Sequence, residues 1–86
     1  MNNSTKTFPE LRALMAKHGV NQHELGEVTG NTYLTFGKKL NRKSEFSHTD
    51  MIKIRDYFRS KGEDVTVQFI FFDWIGHYSE GDENAI

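Results

Sequence analysis

Residues Asn21 to Asn41 read N-Q-H-E-L-G-E-V-T-G-N-T-Y-L-T-F-G-K-K-L-N. Asn21 is a good N-cap, because its side-chain oxygen can accept a bond from one of the amides that a helix leaves unpaired at its start. Leu25 and Val28 then recur at helical spacing, and Gly30 supplies the left-handed conformation that ends a helix at about Thr29. A second helix, about Thr32 to Asn41, follows almost at once. It places Phe36 and Leu40 inward at the i, i+4 spacing and leaves Thr32, Tyr33, Thr35, Lys38 and Lys39 outward. Two short helices across a Gly turn, the second closing on a Lys-Lys pair, are the unit around which the rest of the chain must pack.

Working outward, Thr7 and Glu10 have the spacing of a capping box, with Pro9 tolerated in the first turn. Phe8, Leu11, Leu14 and Met15 share a face, so a first helix is predicted over roughly 8–18, ended by Gly19. Downstream, Arg42 to Glu45 is a polar linker followed by Phe46. Ser47 with Asp50 resembles another capping box, opening an amphipathic helix through Met51, Ile54, Tyr57 and Phe58 to about Ser60, closed by Gly62. In Val65 to Trp74, Val65, Val67, Phe69 and Phe71 alternate with Thr66, Gln68 and Ile70, which on propensity alone favours a strand, although no partner strand is legible. Residues 1–6 read as a frayed, disordered terminus and 75–86 as an acidic flexible tail, leaving 7–74 as one domain.

A chain of 86 residues, 36% hydrophobic and 27% charged, fits a single soluble globular domain with one small core. No apolar run approaches the length of a membrane span, and the first seven residues lack the apolar stretch of a signal peptide, so a cytoplasmic protein is expected. With no Cys there are no disulfides, thiolate zinc sites or cysteine nucleophiles. The net charge of −1 conceals an asymmetry: through Lys43 seven basic residues face three acidic ones, a balance of +4, and the remainder carries four against nine, a balance of −5. The basic half contains the helix pair. A phosphate-binding face needs local positive potential rather than a basic protein overall.

These pieces carry a resemblance. Leu11, the N-Q-x-x-L-G of Asn21 to Gly26, Gly30, Phe36, the K-L-N of Lys39 to Asn41, the K-S-E-F of Lys43 to Phe46 and the I-F-F of Ile70 to Phe72 resemble the lambda-repressor-like helix-turn-helix family. This is the Cro/repressor type, or XRE, and the resemblance is especially to short phage-encoded members. It covers Phe8 to about Asp73. It implies an all-α bundle of about five short helices containing a helix-turn-helix, with Thr66 to Phe72 a short closing helix rather than a strand. Asn31 stands where the family usually has Val or Ile, and Thr29 where it often has Leu or Ala, which bears on how the turn is closed.

The resemblance also implies a site. Asn21 and Gln22 begin the second helix, where Gln22 matches a phosphate-contacting Gln and the helix dipole favours an anion. Thr32, Tyr33, Leu34 and Thr35 begin the third, which in the family enters the major groove and reaches base edges. Lys38, Lys39, Arg42 and Lys43 lie where phosphates run alongside. For Tyr33 and Leu34 a protein contact is the rival reading, and for the Lys/Arg cluster a solvated face is. Phe69, Phe71, Phe72 and Trp74 exceed what one face of a short helix can bury, making them the candidate dimer or partner surface.

Other chemistry finds little support. The four His residues (His18, His23, His48, His77) include no pair at i, i+3 or i, i+4, so no metal site is expected. No nucleophile motif, Gly-rich phosphate loop or apolar carboxylate pair points to an enzyme or a cofactor. The sequence thus predicts a sequence-specific DNA-binding regulator, phage or prophage derived, acting on an operator as a homodimer in the bacterial cytoplasm. The alternative is an antirepressor-like modulator that binds another phage regulator through Tyr33, Leu34 and the aromatic tail. With no second domain legible, regulation would act by occupancy.

Overall fold

A computed structural model describes residues 7–72. The expected terminus 1–6, the tail 75–86 and Trp74 lie outside the described residues. Five helices follow in order: α1 Pro9–His18, α2 Gln22–Thr29, α3 Tyr33–Leu40, α4 His48–Ser60 and α5 Val67–Ile70. There is no strand among the described residues. Helix α2 packs against both α3 and α4, while α5 closes over α1 and α4. None of these helices is long and apolar enough to cross a membrane.

One cluster of buried side chains forms the core, with an aromatic group at Phe46. Phe46, in the linker before α4, is edge-on to Phe8, Phe36 and Phe71, with ring centroids 5.2, 5.6 and 5.3 Å away. Such edge-to-face pairs add to the area they bury. Leu11, Leu25, Leu40, Ile54 and Phe58 pack in the same core and are all but inaccessible. Two ties connect neighbouring segments: Tyr57 of α4 donates to the Glu24 carboxylate of α2, and Glu63 takes both Lys17 and His18 from the end of α1, each at 2.7 Å. Slight burial and the facing Glu24 carboxylate push the Tyr57 hydroxyl up to about 12. The Lys17 ammonium, followed by His18, holds the Glu63 carboxyl below its ordinary range.

Two expectations are corrected, and the closing helix is borne out. No capping box opens α1: Phe8 is its N-cap, in the left-handed region at φ 51°, without a side-chain cap. The Thr7 hydroxyl instead donates to the Leu40 carbonyl at the end of α3, and Arg12 Nε donates to the Thr7 carbonyl at 2.6 Å, tying the entry of α1 to the exit of α3. The short closing helix implied by the resemblance, where propensity alone favours a strand, forms over Val67–Ile70, because the Thr66 hydroxyl accepts from the Phe69 amide and the turn it starts buries Ile70 and Phe71. Phe71, assigned to a partner surface, is wholly buried among Phe8 and Phe46, whereas Phe69 and Phe72 remain 48% and 49% exposed.

Candidate nucleic-acid interface

Helix α2 begins with the Asn21 side chain accepting from the Glu24 amide at 2.9 Å. The capping role occupies that oxygen. Gln22, half-buried, reaches across to α3: a methyl group added at Gly37 would stand 2.7 Å from Gln22 Nε2. The start of α2 and the middle of α3 are therefore in contact, and the missing side chain at Gly37 makes room.

The turn between them is closed by backbone and by polar side chains. Gly30 takes φ 79°, and the Asn31 amide donates to the Gly26 carbonyl at 2.7 Å. Gly26 itself sits where a methyl group would meet the Asn31 carbonyl oxygen at 2.9 Å. The Thr29 hydroxyl, buried, donates to the Leu25 carbonyl at 2.8 Å and accepts from Asn31 Nδ2 at 2.8 Å. Thr29 and Asn31, the two departures from the family pattern, thus bond to each other inside the turn.

Helix α3 is capped by the Thr32 hydroxyl, which accepts from the Thr35 amide at 3.1 Å. Its outward face starts with Tyr33, 47% exposed and stacked on His23 of α2 with centroids 4.5 Å apart and planes 19° from parallel. Leu34 is the most exposed large apolar residue described, at 72%. Thr35 and Gly37 are half-buried, and Lys38 is exposed.

Lys39 does not share that face. Its ammonium lies 2.6 Å from Asp50 Oδ2 at the start of α4 and 3.2 Å from Asn31 Oδ1, with 15% of its side chain accessible. The outward placement predicted for Lys39 is corrected, because the pairing partner lies on another helix that the periodicity of α3 does not see. Asp50 accepts from the Ser47 amide at 3.0 Å while its own amide donates to the Ser47 hydroxyl, completing the predicted capping box. Burial pushes the Asp50 carboxyl up, but Lys39, the Ser47 amide and Asn31 outweigh it and hold the carboxyl below the ordinary 3.8.

Beyond α3, Lys43 is exposed and Arg42 sets its guanidinium 5.1 Å from the centre of the Phe8 ring. The Lys43 amide donates to the Lys38 carbonyl at 2.8 Å and the Arg42 amide to the Lys39 carbonyl at 3.1 Å. This double closure requires a left-handed residue, and Arg42 supplies it at φ 63°. Asn21, Gln22, Thr32, Tyr33, Leu34, Lys38, Arg42 and Lys43 thus fall on α2–α3 and the loop that leaves it, with Lys39 beneath. Reasoning from sequence missed the roles of His23, Asn31 and Asp50, since His23 meets Tyr33 ten residues on, Asn31 meets Lys39 eight residues on and Asp50 meets Lys39 eleven residues back, each on another element. Among the described residues no cluster of three or more His, Asp or Glu could hold a metal ion.

Compared with known proteins, the chain matches no family model, no curated protein and no solved structure.

Proposed function

We propose that this chain is a sequence-specific DNA-binding transcriptional regulator of the lambda-repressor-like helix-turn-helix type, phage or prophage derived, working in the bacterial cytoplasm. One observation carries the reading: two eight-residue helices meet across a tight turn with Thr32, Tyr33, Leu34 and Lys38 on the open side of the second, and Lys38, Arg42 and Lys43 gather at its exit. Helix α3 would lie in the major groove with its first turn toward base edges, Leu34 against a thymine methyl, and the three cations along a phosphate strand. The start of α2 would face another phosphate, its dipole and Gln22 both suited to an anion. One such unit makes few contacts, so a homodimer on two half-sites is part of the proposal. No catalytic role, cofactor or metal enters it.

Selection of bound duplexes from randomised DNA at moderate salt is the direct test. Enrichment of a defined site is the expected result, and Lys38→Ala should then weaken binding to every sequence and lower the salt slope by about 0.9 for the lost phosphate contact. A chain that enriches nothing, or whose binding ignores salt, would end this reading.

The 72% exposure of Leu34 beside a half-exposed Tyr33 favours a second reading, an antirepressor-like module that docks on another regulator. Such a module recovers a protein from a lysogen after nuclease treatment, and Leu34→Asp abolishes the recovery.

A further inference from the structure

We infer that Asp50, Lys39, Asn31 and Thr29 form a part-buried polar clasp that sets the angle at which α3 is presented, making Lys39 a positioning residue and not a phosphate contact. The functional consequence rests on the DNA-binding reading; the clasp does not.

Three helices and the turn contribute to it. Thr29 is the last residue of α2, Asn31 lies in the turn, Lys39 is on the last turn of α3 and Asp50 on the first turn of α4. The Asn31 amide has both ends committed: Oδ1 accepts from Lys39, while Nδ2 donates to Thr29 at 2.8 Å and faces Asp50 Oδ1 at 3.4 Å. Its orientation is therefore fixed by its neighbours. Asp50 Oδ2 in turn takes Lys39 at 2.6 Å and the Ser47 amide at 3.0 Å, so the carboxylate that captures α3 also caps α4. Asp50 is 5% exposed and Thr29 7%.

Apolar side chains at these positions would hold the helices by volume alone, and contacts of that kind have no direction. Hydrogen bonds do. A buried ion pair adds little net stability over apolar residues of similar size, so what distinguishes the pair here is the geometry it imposes. A groove-reading helix needs that constraint, because side chains must meet base edges to within about 0.5 Å and 10–20°.

The test uses the full chain with Lys39→Met and Asp50→Asn combined, which removes the charges and keeps an acceptor for the Ser47 amide. Residual dipolar couplings on the free protein report the direction of α3 relative to α2 and α4. The expected result is a folded protein in which α3 couplings no longer fit the alignment of α2 and α4. On DNA, the preference for a selected duplex over an unrelated one falls by about tenfold or more with the salt slope unchanged, whereas Lys38→Ala lowers the slope by about 0.9.

Unaltered α3 couplings in the double variant overturn the clasp. A salt slope that falls by about 0.9 in that variant overturns the assignment of Lys39, because it marks a lost phosphate contact. If the wild type selects no duplex, the DNA-binding reading fails while the couplings still decide the clasp. Should the double variant not fold, Asn31→Ala, which removes the central amide and no charge, gives the same coupling and duplex-preference readings, and Lys39→Arg, which keeps the charge, is then expected to lower the preference with the salt slope unchanged.

Discussion

Arg42 occupies a position that the other long helices give to glycine. Gly19, Gly30 and Gly62 end α1, α2 and α4 at φ 64°, 79° and 96°, and Arg42 ends α3 at 63°. A left-handed conformation costs a residue with a Cβ about 1–2 kcal/mol relative to glycine. The guanidinium over Phe8 returns about 0.5–1 kcal/mol at an exposed site. Arg42→Gly is therefore expected to change stability to urea by no more than about 2 kcal/mol and, on the proposed DNA-binding reading, to lower DNA affinity and its salt slope together. A variant that binds DNA as well as wild type would limit Arg42 to a packing role. Gly26 presents the opposite case, where space rather than φ excludes a side chain. A methyl group there meets the Asn31 carbonyl oxygen at 2.9 Å and the Thr32 carbonyl oxygen at 3.4 Å, and both belong to backbone that defines the turn. Gly26→Ala is expected to cost about 1–3 kcal/mol in chemical unfolding, as overpacking does. The helix-ending glycines are legible in the sequence because each follows a periodic apolar run. The interior role of Lys39 is not, since it depends on Asp50 eleven positions later on a different element.

At the scale of elements, local signals decided where helices start and distant contacts decided the exceptions. Asn21, Thr32, Ser47 and Thr66 all cap through their side chains, and each is visible as a polar residue just before an apolar pattern. Thr7 has the same look, yet its hydroxyl serves Leu40, thirty-three residues away. In α5 alternation in the sequence suggested a strand, but a strand without a partner leaves its backbone unpaired, and a single capped turn satisfies it while burying Ile70 and Phe71. The first turn of α4 also fixes the response to acid. Because the Asp50 carboxyl is held below 3.8 in the folded chain, its stabilisation is complete above that value and is lost as pH falls through the lower, folded one. Glu63 acts in the same direction from the α4–α5 loop. Asp50→Asn is expected to melt at a lower temperature than wild type from neutral pH down to about 5, with the gap closing below about 4 as the wild-type carboxyl takes up its proton. A gap that stays constant to pH 2 would place the Asp50 contribution elsewhere than in its charge.

Considered as a whole, the sequence divides its charge between a basic half through Lys43, carrying the α2–α3 unit, and an acidic half beyond it. The first four helices and the turn between α2 and α3 could be read from the order of caps, apolar spacing and glycines, and the fifth helix only from the resemblance. The partition of the aromatic segment could not, because Phe69, Phe71 and Phe72 are equivalent until the direction of α5 over α1 and α4 is known. The structure separates them: Phe71 packs against Phe8 and Phe46, and Phe69 and Phe72 stand half out of the domain. Removing a buried phenylalanine costs about 3–5 kcal/mol, most of what a domain this small has to lose, so Phe71→Ser is expected to give an unfolded chain by circular dichroism. Phe69→Ser combined with Phe72→Ser exposes no core and should melt within a few degrees of wild type. If these two rings form the contact of the proposed homodimer, sedimentation equilibrium resolves wild type into a dimer and the double variant into a monomer. The variant then binds a paired operator far more weakly while its affinity for one half-site is unchanged, because each α3 is intact and only the coupling between two of them is gone. A wild type that stays monomeric at the concentration where it occupies a paired site, with both rings replaceable at no loss, would put the dimer contact on another face.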